Sequence, residues 1–443
     1  MINLVKKKKV TPHVFFLVIF MFLFLYFPPF ISLSTHYFLA VIAYIYVTFH
    51  VNSFIRFLTQ KKVIRIMILS VAIMVYLLLI AVIYHAPIKS VILGPAFWLA
   101  IYTPICFYLL HSIYQMGWSV KELILMLAAC CNIQGVFALI SFLYKPFHLW
   151  VLDRYIAYGY DAERYTGLAN YRLYGLAFHL TNFAPLVAAC LTPVIMKYAV
   201  KNTKYLLLTP LMIISVVLNS RTALVIMLLG FAVMLFYPNT NQVVKTKHVM
   251  QGIAVGFVLL IMAIIVINVI ASMQKTANSW FAGWLISGFD SIASLFNGEK
   301  KGYFEYTSQS ATWIIPKGIE LLFGTGEDSK GSHANYRGTD VGYINYLWIG
   351  GVIYLVLLLA LVWILIQPLH IKKENKWLFW FMAIAIVCLN IKDAVFVQNE
   401  FMCFLFILCM GCEYLNYSKA EKLIQALVNA DDFIQNGVII DES

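Results

Sequence analysis

The chain has 443 residues, 62% of them hydrophobic and only 12% charged, with a mean hydropathy of +0.83 and a formal net charge of +12. That composition excludes both a soluble globular protein and a disordered chain. The positive charge follows membrane topology, as shown below, and gives no reason to expect nucleic acid as a partner.

Apolar runs predict about twelve membrane-spanning helices, near residues 13–31, 37–55, 64–84, 91–113, 122–144, 174–196, 205–219, 222–237, 249–271, 340–366, 377–392 and 394–415. None shows the alternation of barrel strands, so the expected fold class is all-α, a polytopic integral membrane protein. Lys6 to Lys9 precede an uninterrupted apolar run with no small-residue cleavage site, which predicts a retained anchor instead of a cleaved signal peptide. Residues 1–443 then form a single transmembrane domain with two long outer loops, 145–173 and 272–338, and a tail at 416–443.

Lysine and arginine placement orients this arrangement. With the N-terminus inside, the inner pieces hold Lys6 to Lys9, Arg56, Lys61, Lys62, Arg65, Lys121, Lys197, Lys201, Lys204, Lys245, Lys247, Lys372, Lys373, Lys376, Lys419 and Lys422, which is 19 of the 32 basic residues. The short outer turns hold only Lys89, Arg221 and Lys392. Both termini are expected to be cytoplasmic. All eight cysteines fall in predicted spans or at an inner end, so no disulfide framework is implied. No cysteine–histidine spacing suggests zinc, and no glycine-rich phosphate loop suggests ATP or a nucleotide sugar. No cofactor is expected.

Arg221 stands alone between the apolar runs 205–218 and 223–236. As one helix, residues 205–236 would extend about 48 Å, too long for a hydrocarbon layer of about 30 Å. A hairpin turning at Ser220-Arg221 instead sets a cation slightly below one membrane surface. A lone arginine at membrane depth costs roughly 3 kcal/mol, so it usually has a task. A lipid-borne anion suits it; snorkelling at a turn is the plain alternative.

Of the outer loops, the first carries Arg154, Arg164 and Arg172 among several tyrosines. Asp161 and Glu163 beside Arg164 could make that residue a surface ion pair. The second balances six basic against six acidic residues and includes Trp280, Trp284, Tyr303, Tyr306 and Trp313. It reads as a folded cap, with a helix near Pro316 to Leu322 ended by Gly324-Thr325-Gly326. Such rings can stack on sugar faces or can form an interfacial belt. The loop leads through His333, Tyr336, Arg337, Asp340 and Tyr343 to Gly350-Gly351 in a long apolar span. Asp340 or Thr339 is expected to cap that span in any case.

These motifs, in this order, resemble the O-antigen polymerase (Wzy-type) and O-antigen ligase superfamily of bacterial inner membranes. The resemblance covers roughly residues 145–366. It lies in the Ser220-Arg221-Thr222-Ala223 hairpin, a large periplasmic loop, the Phe323 to Gly326 turn, and a polar stretch entering a glycine-containing helix. Asp340-Val341-Gly342-Tyr343 is more similar to polymerases than to ligases. Arg164 with Gly175 matches an Arg-x10-Gly pattern of polymerase loops, whereas Arg337 has its glycine at 350, two positions late.

The resemblance implies a membrane glycosyltransferase, similar to type C enzymes, joining polyprenyl-diphosphate-linked oligosaccharide repeat units at the periplasmic face of the inner membrane. Its products would be O-antigen or capsular polysaccharide, and its partners would include membrane lipid, a flippase and a chain-length regulator. Departure of the lipid diphosphate needs cations where charge develops, and Arg172, Arg221 and Arg337 are expected to supply them. Asp340 is the first choice for a general base and His333 the second, an exposed loop histidine being its ordinary reading. Arg164, Tyr336 and Tyr343 are expected to bind glycan or lipid diphosphate. No outer Asp/Glu cluster looks like a metal cage, so transfer is expected to be metal-independent. Two other functions remain open: a ligase passing glycan to a lipid A core, and a flippase or transporter of lipid-linked sugars. A transporter should show repeat symmetry and broken helices at mid-membrane.

Overall fold

The computed structural model describes residues 12–28, 35–86, 94–157, 173, 175–177, 183–236, 297, 313–326, 341–370, 376–392, 394–396 and 399–416. Among them all regular structure is helical. In chain order the helices are α1 (Pro12–Tyr26), α2 (Thr35–Phe49), α3 (Val51–Leu58), α4 (Lys61–Ile83), α5 (Gly94–Gln115), α6 (Val120–Leu143), α7 (Lys145–Ala157), α8 (Phe183–Lys201), α9 (Thr209–Asn219), α10 (Arg221–Phe236), α11 (Ile319–Phe323), α12 (Gly342–Ile366), α13 (Lys376–Asn390) and α14 (400–416). A 3₁₀ segment, Thr203–Leu208, leads into α9, and a π-turn, Trp98–Tyr102, lies within α5.

Among the described residues, α4, α5, α6 and α12 (continued to Leu369) are each long and apolar enough to cross a membrane. The bent pair α2–α3 makes a fifth such unit. Shorter apolar helices, α1, α8, α9, α10 and α13, pack among them. Among the described residues the protein is thus all-helical, with several apolar helices that could cross a membrane. The ninth expected span, 249–271, and the tail beyond residue 416 lie outside the described residues.

Side-chain contacts define two ends of the bundle. Lys121, at the start of α6, lies 5.0 Å over the Tyr205 ring, and Lys197, near the end of α8, lies 5.1 Å over Trp377 at the start of α13. Lys62, at the start of α4, donates to Leu365 O near the end of α12 at 2.8 Å. These contacts mark the lower end, where several of the basic residues expected on one side of the membrane gather. Tyr26, Leu143, Ser220, Gly342 and Asn390 belong to the upper end.

Four features differ from the expected spans. The second span ends at Phe49, after which α3 leaves at 107° and packs Phe54 and Phe57 against Phe107. The segment 145–173, expected to be a loop, begins with α7, whose Trp150 ring lies 5.6 Å from the Arg154 guanidinium. Helix α8 begins at Phe183, not near 174. Ahead of it Leu173 and Gly175–Ala177 are buried backbone, with Leu176 N donating to Gln134 Oε1 at 3.1 Å. Finally, the residue at the N-cap of α12 is Val341, not Thr339 or Asp340, and it makes no side-chain cap.

The fourth difference extends inside α12, which breaks at Gly350-Gly351, where Gly351 takes φ +66°. A break in a membrane helix strands carbonyls that water cannot reach, so other protein groups must satisfy them. The Phe323–Gly326 turn does so. Thr325 N donates to Trp348 O at 2.7 Å and Gly326 N to Ile349 O at 3.0 Å, while Tyr76 Oη of α4 lies 2.8 Å from Gly350 O. The approach is close enough that a methyl group on Gly324 would lie 2.5 Å from Gly350 N. The short helix foreseen near Pro316 to Leu322 is α11, ended at Gly324 with φ +76°.

Candidate functional site

The chain reverses at Ser220. Helix α9 climbs from the lower end, with Leu211 against Gly135 of α6. If α10 continued straight upward, Gly230 would lie beyond the top of α8. Instead a methyl group placed there would be 2.7 Å from Pro193 Cγ in the middle of α8 and from Phe381 Cζ of α13. Ser220 is extended (φ −154°, ψ 116°), and its Oγ accepts from Ala223 N at 3.1 Å, the N-cap geometry that starts α10. Ala223 is fully buried, which explains the small residue at that position. The Ser-Arg-Thr-Ala wording is therefore a capped helix start that displays Arg221 as the first residue of α10.

Neighbouring elements hold this turn in place. Asn219 Nδ2 donates to Ser215 O at 2.8 Å, and its Oδ1 accepts from Leu173 N at 2.8 Å, so the residue next to Arg172 is tied two positions from Arg221. From the other side, Lys392 Nζ donates to Thr222 Oγ1 at 2.8 Å. The turn carrying Lys392 is pinned by Asn390, which is 1% exposed. Its Oδ1 accepts from Tyr346 Oη at 3.0 Å, and Tyr346 Oη in turn accepts from Phe396 N at 2.8 Å. Arg221 is half-buried, its Nε is shielded from solvent, and the residue makes further interactions within the protein.

Of the residues singled out in the sequence, Arg221 is at the upper end as the hairpin reading requires. Tyr343 lies on the first turn of α12, and its hydroxyl donates to Val387 O at 3.0 Å, so it bonds α12 to α13. Arg164, Arg172, His333, Tyr336, Arg337 and Asp340 lie outside the described residues. The described neighbours of two of these segments, Leu173 and Val341–Tyr346, converge on the same end as Arg221. Asn132 of α6 donates its Nδ2 to Leu208 O of the 3₁₀ segment at 2.9 Å. Sequence reading did not single out Asn219 or Asn390 as the pins of the two turns. An asparagine next to a predicted membrane turn was the available signal, because a buried amide there must satisfy backbone. Lys392 stands in the sequence as an outer-turn cation.

Asn399 and Glu400 are fully buried at the start of α14. Nearby in the core His36 Nε2 lies 3.0 Å from Phe24 O and 3.7 Å from Cys403 Sγ. No metal-binding group of three or more His, Cys, Asp or Glu occurs among the described residues.

No family model matches the chain, and neither does any curated protein or solved structure.

Proposed function

We propose that the protein polymerises oligosaccharide repeat units carried on a polyprenyl diphosphate, at the periplasmic face of a bacterial inner membrane. The observation that carries this reading is the cation-bearing hairpin at Ser220-Arg221, tethered to the residue after Arg172 and met by Lys392. Outside a cytoplasmic membrane no nucleotide sugar is present, so an activated donor must travel on a lipid. In transfer, the bond between the donor sugar's anomeric carbon and its phosphate oxygen breaks, and the electron pair stays on the diphosphate. The acceptor hydroxyl oxygen forms the new bond, and its proton passes to Asp340 or His333. Arg221, always charged and able to bind bidentately, neutralises the diphosphate as its charge grows. A ligase would share this chemistry, and the Asp-Val-Gly-Tyr wording favours the polymerase. A transporter is disfavoured because the charged residues gather at one face and one loop dominates, without the repeat symmetry that a transporter should show.

Two results test this. Deletion of the gene should leave surface glycan bearing a single repeat unit, seen as loss of the ladder on a polysaccharide gel. Accumulation of long carrier-linked chains with no surface glycan would replace the polymerase with a ligase, and unchanged chain length would remove both. In a functional background with its reactive cysteines replaced, Gly298→Cys should be modified by a membrane-impermeant reagent from outside. Modification only from the cytoplasm would overturn the topology of two cytoplasmic termini and an outer 272–338 loop.

A further inference from the structure

Helix α3 has no part in the reading above, yet its place in the bundle is fixed. Phe57 is fully buried and meets the rings of Phe107 on α5 and Tyr414 on α14, at 5.6 and 5.5 Å, while Phe54 meets Phe107 at 5.0 Å. Thr59 N and Gln60 N close the helix on Ile55 O and Phe57 O. Lys62 Nζ then ties the start of α4 to Leu365 O, two residues from the exposed Trp363. An exposed tryptophan near the end of a long apolar helix marks the depth where hydrocarbon gives way to headgroups. With α2 across a bilayer, the 107° bend lays α3 close to the membrane plane at that depth.

The outward side of this segment combines two chemistries. Phe49, Val51 and Ile55 are 80%, 46% and 51% exposed, although all three are apolar. Val51 and Ile55 stand one turn apart on one edge of α3, and Asn52 and Arg56 stand one turn apart on the next. Arg56, Lys61 and Arg65 are exposed, and among the described residues none of the three makes an ion pair. The sequence around them supplies no acid either, for no Asp or Glu precedes Glu122. Lys62 is set apart, buried and bonded to Leu365 O. A bilayer surface offers acyl chains beneath a layer of phosphates, which matches an apolar edge beside unpaired cations.

We propose that α3 and the start of α4 bind anionic phospholipids of the leaflet at the lower end. Arg56, Lys61 and Arg65 meet the headgroup phosphates, and Phe49, Val51 and Ile55 sit among the acyl chains. Such binding does not depend on the role of Arg221.

The test is equilibrium binding of fluorescent phosphatidylglycerol, and of phosphatidylcholine with the same chains, to the full-length protein in neutral detergent. The wild type should prefer phosphatidylglycerol by about tenfold or more at low salt, and high salt should shrink that preference. Arg56→Gln and Arg65→Gln should each reduce the preference about fivefold, the effect of one cation close to an anionic surface. Either variant decides the matter if the other does not fold. Lys376→Gln removes an exposed cation at the start of α13 and should leave the preference unchanged. Ile55→Ser should weaken both lipids alike, since the acyl chains are common to them. A wild type without preference, a folded glutamine variant at position 56 or 65 that keeps it in full, an equal loss in Lys376→Gln, or unchanged binding in Ile55→Ser would each overturn the proposal. So would a dimer, seen by light scattering, that Ile55→Ser splits, because the face would then belong to a second copy of this chain.

Discussion

Arg221→Lys is expected to be nearly as damaging as Arg221→Ala, although it keeps the charge. Arg221 begins α10 at a capped turn and is half-buried, so its guanidinium works at a partly dry boundary. In the proposed role its planar fork would hold a phosphate through two parallel hydrogen bonds, and a lysine point charge would replace it poorly. Loss of a contact that tightens as the diphosphate leaves should cost about 3 kcal/mol, roughly a hundredfold in rate. Snorkelling would give the opposite result, because lysine snorkels as well as arginine and would keep the hairpin in place. The measurement is polymer length and rate for purified, folded variants supplied with lipid-linked repeat units, with and without EDTA. Full activity in Arg221→Lys would return the residue to a structural role. Loss of activity in EDTA would end the metal-independent mechanism.

Gly351→Ala is expected to destabilise the protein by about 3–5 kcal/mol, from three terms that act together. Alanine at φ +66°, ψ −165°, a region kept almost entirely for glycine, pays about 1–3 kcal/mol in backbone strain. Its methyl group would also overlap the carbonyl of Leu322, so the docked turn must withdraw. Withdrawal removes the bonds from Thr325 N to Trp348 O and from Gly326 N to Ile349 O, at roughly 1 kcal/mol each, and leaves both carbonyls stranded. Tyr76→Phe is the internal comparison. It removes one hydroxyl from Gly350 O without any clash and should cost only about 1–2 kcal/mol. Thermal unfolding in detergent, with protease cleavage within 313–326 as a local readout, separates the two. If Gly351→Ala is no worse than Tyr76→Phe, the turn is not needed to complete α12.

Both effects trace to segments that the sequence analysis had marked, but for reasons that it could not supply. The Ser-Arg-small motif was read as a hairpin because 205–236 is too long for one span, and length alone is a sound argument when the solvent has a fixed thickness. That Ser220 caps α10, that Ala223 must be small, and that Lys392 arrives from another hairpin all depend on contacts between distant positions. Glycines are common in membrane helices, so Gly350-Gly351 carried no message by themselves. The break becomes necessary only once the Phe323–Gly326 turn is docked against it. Likewise, the bend after Phe49 is hidden in an uninterrupted apolar run, because hydropathy records whether a segment avoids water and not its direction.

The sequence by itself determined the all-helical class, the positions of most apolar helices and the hairpin turn at Ser220-Arg221. These follow from one-dimensional quantities: apolar run length, charge placement and local turn chemistry. Only the tertiary structure decided which turns meet. Leu173 sits on Asn219 and Lys392 on Thr222 because buried amides, hydroxyls and stranded carbonyls must find partners inside the protein, and partners 46 or 170 residues away leave no periodicity to read.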